Sequence, residues 1–186
     1  MPSTLFFKTS NLYIQEGDLP EYFIGQKKEF ALEALLSEII GVSDEREFKC
    51  RHIKDYFYEI ECCVYKKSNF YAFLDMGGFK LFMIDDDKVL EVGKYYKMMV
   101  KLNYNVWNDY HDIEFQESSF YERIEFQGTV KSIAVDSSQF IPINNSKGLT
   151  KKGVERKFDI KLEKTNCLED EKYPNGPVCY LIEVQL

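Results

Sequence analysis

The chain has 186 residues, of which 45% are hydrophobic and 16% aromatic, and its 31 acids against 24 Lys and Arg give a formal net charge of −7. A chain of this size buries about 70% of its unfolded surface on folding. It therefore needs neither metal nor disulfide to hold a core, and thirteen Tyr and fifteen Phe exclude a disordered polymer. The acidic balance makes nucleic acid an unfavoured main partner, since affinity for a phosphate backbone comes largely from Lys and Arg.

No basic leader precedes a long apolar run at Met1–Lys8, and no segment approaches the ~20 apolar residues of a membrane helix. A cytoplasmic location without membrane contact is expected. The five Cys (Cys50, Cys62, Cys63, Cys167, Cys179) are odd in number and form no CxxC pair, so reduced structural thiols are expected. Residues 1–186 read as a single domain, with an N-terminal strand and helix over 1–45 and an antiparallel β body over 46–186.

In chain order, Leu5–Ile14 has strand character and Glu16-Gly17-Asp18-Leu19-Pro20 breaks it. From Gln26 to Ile40, Leu32, Leu35, Leu36, Ile39 and Ile40 recur at three- and four-residue spacing among Lys27, Lys28, Glu29, Glu33 and Glu38. That period predicts an amphipathic helix, with Gly41 as its stop. Even positions from Phe48 to Val64 share one face of a strand, or of two strands broken at Lys54-Asp55.

Phe70–Met76 and Phe79–Ile84 flank Gly77-Gly78, and glycines accept the positive φ of a tight hairpin. A two-residue loop pairs Met76 with Phe79, Leu74 with Leu81 and Ala72 with Met83 on one face. On the other face it pairs Asp75 with Lys80, Phe73 with Phe82 and Tyr71 with Ile84. Apolar pairs on both faces predict that the hairpin is covered on both sides, the helix being one candidate cover.

After the Asp85-Asp86-Asp87 turn, Val92-Gly93-Lys94 leads into a strand with Tyr96, Met98, Val100, Leu102, Tyr104 and Val106 inward. Alternation returns at Ile124–Val130, at Phe158–Leu162 and at Tyr180–Leu186. Asn144–Arg156 reads as a basic loop, and Asn166–Pro177 as a second excursion. The fold class is mainly β (α+β): a small antiparallel barrel or sandwich with one helix. The layout is compatible with a barrel of the oligonucleotide/oligosaccharide-binding type.

Chemistry is sparse. The chain lacks GxSxG, HExxH, GxxxxGK[ST] and GxGxxG. His52 has inward parity and reads as structural, and His111 adjoins Asp112 on a chain whose neighbours face apart. Asp85–Asp87 with Glu91 does not match a calcium loop and reads as a solvated turn. No catalytic residue, metal site or cofactor is expected.

The segment Trp107–Phe126 carries the only Trp, several Tyr and Phe, and six acids against one Arg. Carboxylates steer a basic partner and aromatics anchor it. The expected function is therefore a non-enzymatic binding protein, of the immunity-inhibitor kind. It would engage a basic protein through Trp107, Asp109, Tyr110, Asp112 and Glu114. One alternative is a barrel binding single-stranded nucleic acid or oligosaccharide through outward aromatics and the Lys151-Lys152 loop. The other is an enzyme with His52, His111 and the Asp85–Asp87 turn as its polar cluster.

Overall fold

The structure is a computed structural model that describes residues 2–10, 14, 21–43, 46–68, 71–85, 88–104, 124–136, 156–165 and 179–186. The elements among them are strands: β1 (Thr4–Ser10), β2 (Lys27–Phe30), β3 (Glu33–Ser43), β4 (Lys49–Lys54), β5 (Phe57–Lys67), β6 (Tyr71–Asp75), β7 (Lys80–Ile84), β8 (Tyr95–Asn103), β9 (Phe126–Val135), β10 (Ile160–Leu162) and β11 (Cys179–Gln185). The described chain is thus mostly β. Among its residues, no helix is long and apolar enough to cross a membrane.

The helix expected over Gln26–Ile40 is not formed; that stretch is β2, a two-residue step and β3. The reason lies in two irregularities of β3. Its register against β8 shifts between Leu36 and Glu38 and again between Ile39 and Gly41. Each bulge inserts a residue and moves the following side chains to the other face. Period two, broken twice within a short span, leaves apolar residues at the three- and four-residue spacing of a helix. Leu36, Ile40 and Val42 are exposed as a result, and Gly41 lies inside the strand at the second bulge.

The glycine hairpin forms in the expected register, from Asp75↔Lys80 to Tyr71↔Ile84. Gly77 takes a φ of +81°, and its N–H donates to Asp75 Oδ1 at 2.8 Å. The two-sided apolar pattern is covered, but not by a helix. Leu74, Leu81 and Met83 enter the main core, while Phe73 and Phe82 are buried on the other face with Ile124, Ala31, Tyr65 and Tyr71.

Five strands close into a ring. β5, β6 and β7 pair antiparallel in sequence, β7 meets β3 in parallel at Glu33↔Phe82, β3 pairs antiparallel with β8, and β8 returns to β5. The inward side of this ring is apolar: Tyr58, Ile60, Cys62 and Val64 of β5 and Met98, Val100 and Leu102 of β8 are fully buried. Burying each such side chain contributes about 1.5–3 kcal/mol. The expected break near Lys54-Asp55 is the β4–β5 hairpin, where Asp55 takes a φ of +51°.

The remaining strands repeat part of this scheme. β5 carries β4 and β6 in succession on one edge and β8 on the other; β9 carries β2 and β10 on one edge and β11 on the other. β8 is flanked in turn by β3, and β11 by β1. The sequence shows no repeat, because the shared feature is pairing geometry and not residue identity. The chain lays down β1 and β2, builds the ring, and then returns to complete the second set. Phe7, Tyr22, Phe30 and Tyr104 form the aromatic nest beside them, with ring centroids 5.4–6.5 Å apart.

Candidate functional site

The two sets of strands meet where β1 runs beside the end of β8, in parallel at Lys8↔Asn103. The contact is tied by a backbone bond, the Tyr104 N–H donating to the Lys8 carbonyl at 2.8 Å; on the other edge of β8 the Leu102 N–H donates to the Tyr56 carbonyl at 2.9 Å. Strand alternation then decides what gathers there. Lys8 lies opposite the inward residue Phe7, and Lys101 and Asn103 lie opposite Val100 and Leu102. These polar side chains therefore share the outer face of the junction.

Charge converges on this face from distant parts of the chain. Arg156 Nη1 donates to Asp136 Oδ2 at 2.8 Å, the carboxylate being almost fully buried. The Asp136 N–H donates in turn to the Cys179 carbonyl at 2.9 Å. Asn103 Nδ2 donates to Glu33 Oε2 at 3.3 Å, which anchors the buried Glu33. Burial holds the Lys8 ammonium below its usual pKa; nearby Cys179 opposes that, Arg156 and Lys101 add to it, and Glu33 opposes it.

Aromatic side chains frame the cations. Lys8 Nζ lies 5.8 Å from the centroid of the Tyr56 ring and Lys101 Nζ 5.3 Å from that of Phe57, within cation–π range. Tyr56 contacts Phe57 at 4.9 Å and Phe158 edge-on at 6.1 Å. Burial raises the Tyr56 phenol, so it remains a neutral hydrogen-bonding group at physiological pH.

The outer face of β4, β5 and β8 differs in kind. There Lys49 pairs with Glu47 and Glu61, Arg51 with Glu59, and Lys97 with Glu59 and Glu61. That ladder is internally neutralised and offers little net charge to a partner. Lys8 and Lys101 make no ion pair with a described residue, so their charge at the junction is not neutralised in that way.

The residues expected to bind a partner, Trp107, Asp109, Tyr110, Asp112 and Glu114, lie outside the described residues, as do His111, Asp86, Asp87 and the Lys151-Lys152 loop. Arg156, at the end of that loop, is described and reaches the junction. His52 keeps the face its parity suggested, opposite Tyr58 with ring centroids 5.0 Å apart, but is not buried there. It is exposed, its Nε2 lies 2.7 Å from the Asp55 carbonyl, and its ring stacks on Phe6 at 4.7 Å. Its exposure follows from position, because β4 is the last strand of the sheet order and covers only one edge of β5.

Asp85 is not solvated: it is buried, pairs with Lys67, and accepts the Val89 and Leu90 N–H groups. Its partners and those of His52 are distinct. Burial pushes the Cys50 thiol up to about 11 and Cys62 up to about 12, which keeps both protonated at neutral pH.

Sequence reasoning missed Lys8, Tyr56, Asp136 and Arg156 as a group. Outward parity of Lys8 and Lys101 was the available signal; their proximity to Arg156 had none. No family model matches the chain, and no curated protein or solved structure is significantly similar to it.

Proposed function

We propose that the chain is a binding module in which β3, β5, β6, β7 and β8 act as a small barrel of the oligonucleotide/oligosaccharide-binding type, with single-stranded nucleic acid as the ligand. The observation that supports this reading is the five-strand ring itself, which combines the long strand β5, a hairpin and the Gly93-led strand β8. In barrels of this type the second and third strands carry the ligand face. Counted around the ring from β5, those are β6 and β7, whose outward Phe73 and Phe82 are buried with Ile124. The reading therefore puts the ligand along β5 and β8, where Phe57 and Lys101 face outward.

Fluorescence anisotropy of a labelled short oligodeoxythymidine and its RNA counterpart, at low and high salt, tests this reading. Saturable binding that weakens with salt supports the module. Unchanged anisotropy at low salt for both strands overturns it.

A second reading follows from the net charge of −7 and the acidic-aromatic run. In it the chain is a cytoplasmic, non-enzymatic inhibitor of a basic protein, of the immunity kind, through Trp107, Asp109, Tyr110, Asp112 and Glu114. Capture of one basic protein near stoichiometry, lost on reversing Asp109 and Asp112 to Lys, supports it. Equal capture by the reversed variant removes that surface from consideration.

A further inference from the structure

Lys8 and Lys101 bring two ammonium groups to the outer face of the β1–β8 junction. Neither ammonium makes a hydrogen bond or ion pair with a described residue, and each has only an aromatic ring beside it. Lys8 is half-buried, and Lys101, two residues before its pairing partner Asn103, shares its face. Arg156 approaches from a third segment and is held in place through Asp136. The acids nearby are committed: Asp136 binds Arg156 and Glu33 accepts from Asn103.

Three cations held together at one junction repel one another, and for Lys8 part of the compensating hydration is lost to burial. A bound anion offsets both costs, and it stabilises the folded state because the unfolded chain does not assemble the site. A guanidinium with ammonium groups beside it suits phosphate oxygens. Phe57, half-buried next to Lys101, offers a ring edge or face to a base, and such stacking contributes about 1–3 kcal/mol per base.

We infer that Lys8, Lys101 and Arg156 hold one phosphate group at the β1–β8 junction, and that the phosphate belongs to a single-stranded nucleic acid lying beside Phe57. The nucleic-acid source rests on the reading proposed above; the phosphate site rests on the three cations alone.

The test compares wild type, Lys8→Met, Lys101→Met and a control, Lys97→Met, whose charge sits in the neutralised ladder. Two probes are used: labelled oligodeoxythymidine followed by anisotropy across a salt series, and inorganic tripolyphosphate followed by thermal shift. Lys8→Met and Lys101→Met should each weaken oligonucleotide binding about five- to tenfold and reduce the salt slope by about 0.7. Lys97→Met should leave both unchanged.

Oligonucleotide binding that is equal in all four proteins overturns the site and leaves the nucleic-acid reading standing. Tripolyphosphate stabilisation lost in the two variants, with no oligonucleotide binding by wild type, keeps the site and overturns the nucleic-acid source. No response to either probe overturns both. If Lys8→Met fails to fold, Lys101→Met decides the matter.

Discussion

Gly128 of β9 lies directly beneath Val184 of β11. A Cβ built on the glycine overlaps the valine Cγ1 and comes within 3.3 Å of the Gln185 carbonyl and 3.4 Å of Phe30 Cε2. The glycine is there for space, since its φ is not in the left-handed region. Gly128→Ala should therefore cost about 1–3 kcal/mol through overpacking, read as a lower urea midpoint. Gly41→Ala, with nothing within 4 Å of its Cβ, should stay within about 0.5 kcal/mol of wild type. Equal effects at the two positions contradict this account.

Ile124 is 2% exposed and packs with Phe73 and Phe82 on the outer face of the hairpin. Ile124→Ala should destabilise by about 2–5 kcal/mol and leave aromatic surface open. Increased binding of an apolar dye by the still-folded variant is the second readout. A stable variant that takes up no dye means other groups cover this face.

Asp136 and Arg156 form a pair whose carboxylate side is 1% exposed and whose guanidinium side is 31% exposed. Arg156→Met leaves a buried carboxylate without its cation and should cost about 2 kcal/mol, less than the ~3–5 of a fully buried pair. Adding Asp136→Leu should recover at least half of that loss, because the stranded charge goes with it. Additive losses across the double-mutant cycle argue against direct coupling.

The Lys8 ammonium is held below its ordinary pKa of 10.5, mainly by burial. Between the folded and unfolded pKa values the unfolded chain binds more protons, so stability rises with pH across that window. Lys8→Met retains a stem of similar length and lacks the charge. It should melt above wild type at neutral pH, with the gap closing as pH approaches 10.5. Melting curves of the two proteins over that range check the sign, and a constant gap refutes it.

Local pattern carried as far as local physics allows. The Gly77-Gly78 loop permits two residues and no slip, so each cross-strand pair from Asp75↔Lys80 to Tyr71↔Ile84 follows from the turn. β8 is equally legible, because Tyr96, Met98, Val100, Leu102 and Tyr104 alternate without a bulge and all are buried. β3 misleads for the opposite reason: two bulges convert a strand's period into something close to a helix's.

The sequence by itself determined the mostly β character, the hairpin register and the inward set of the regular strands, because each depends on neighbours within a few residues. Only the tertiary structure decided that β3 is a strand, that Ile124 covers the hairpin, and that five strands close into a ring. It alone brought Lys8 of β1 together with Lys101 of β8 and Arg156 near the far end of the chain. That meeting depends on β1 pairing with β11 across almost the full length of the sequence. No local periodicity encodes which distant strand edges will satisfy one another's hydrogen bonds.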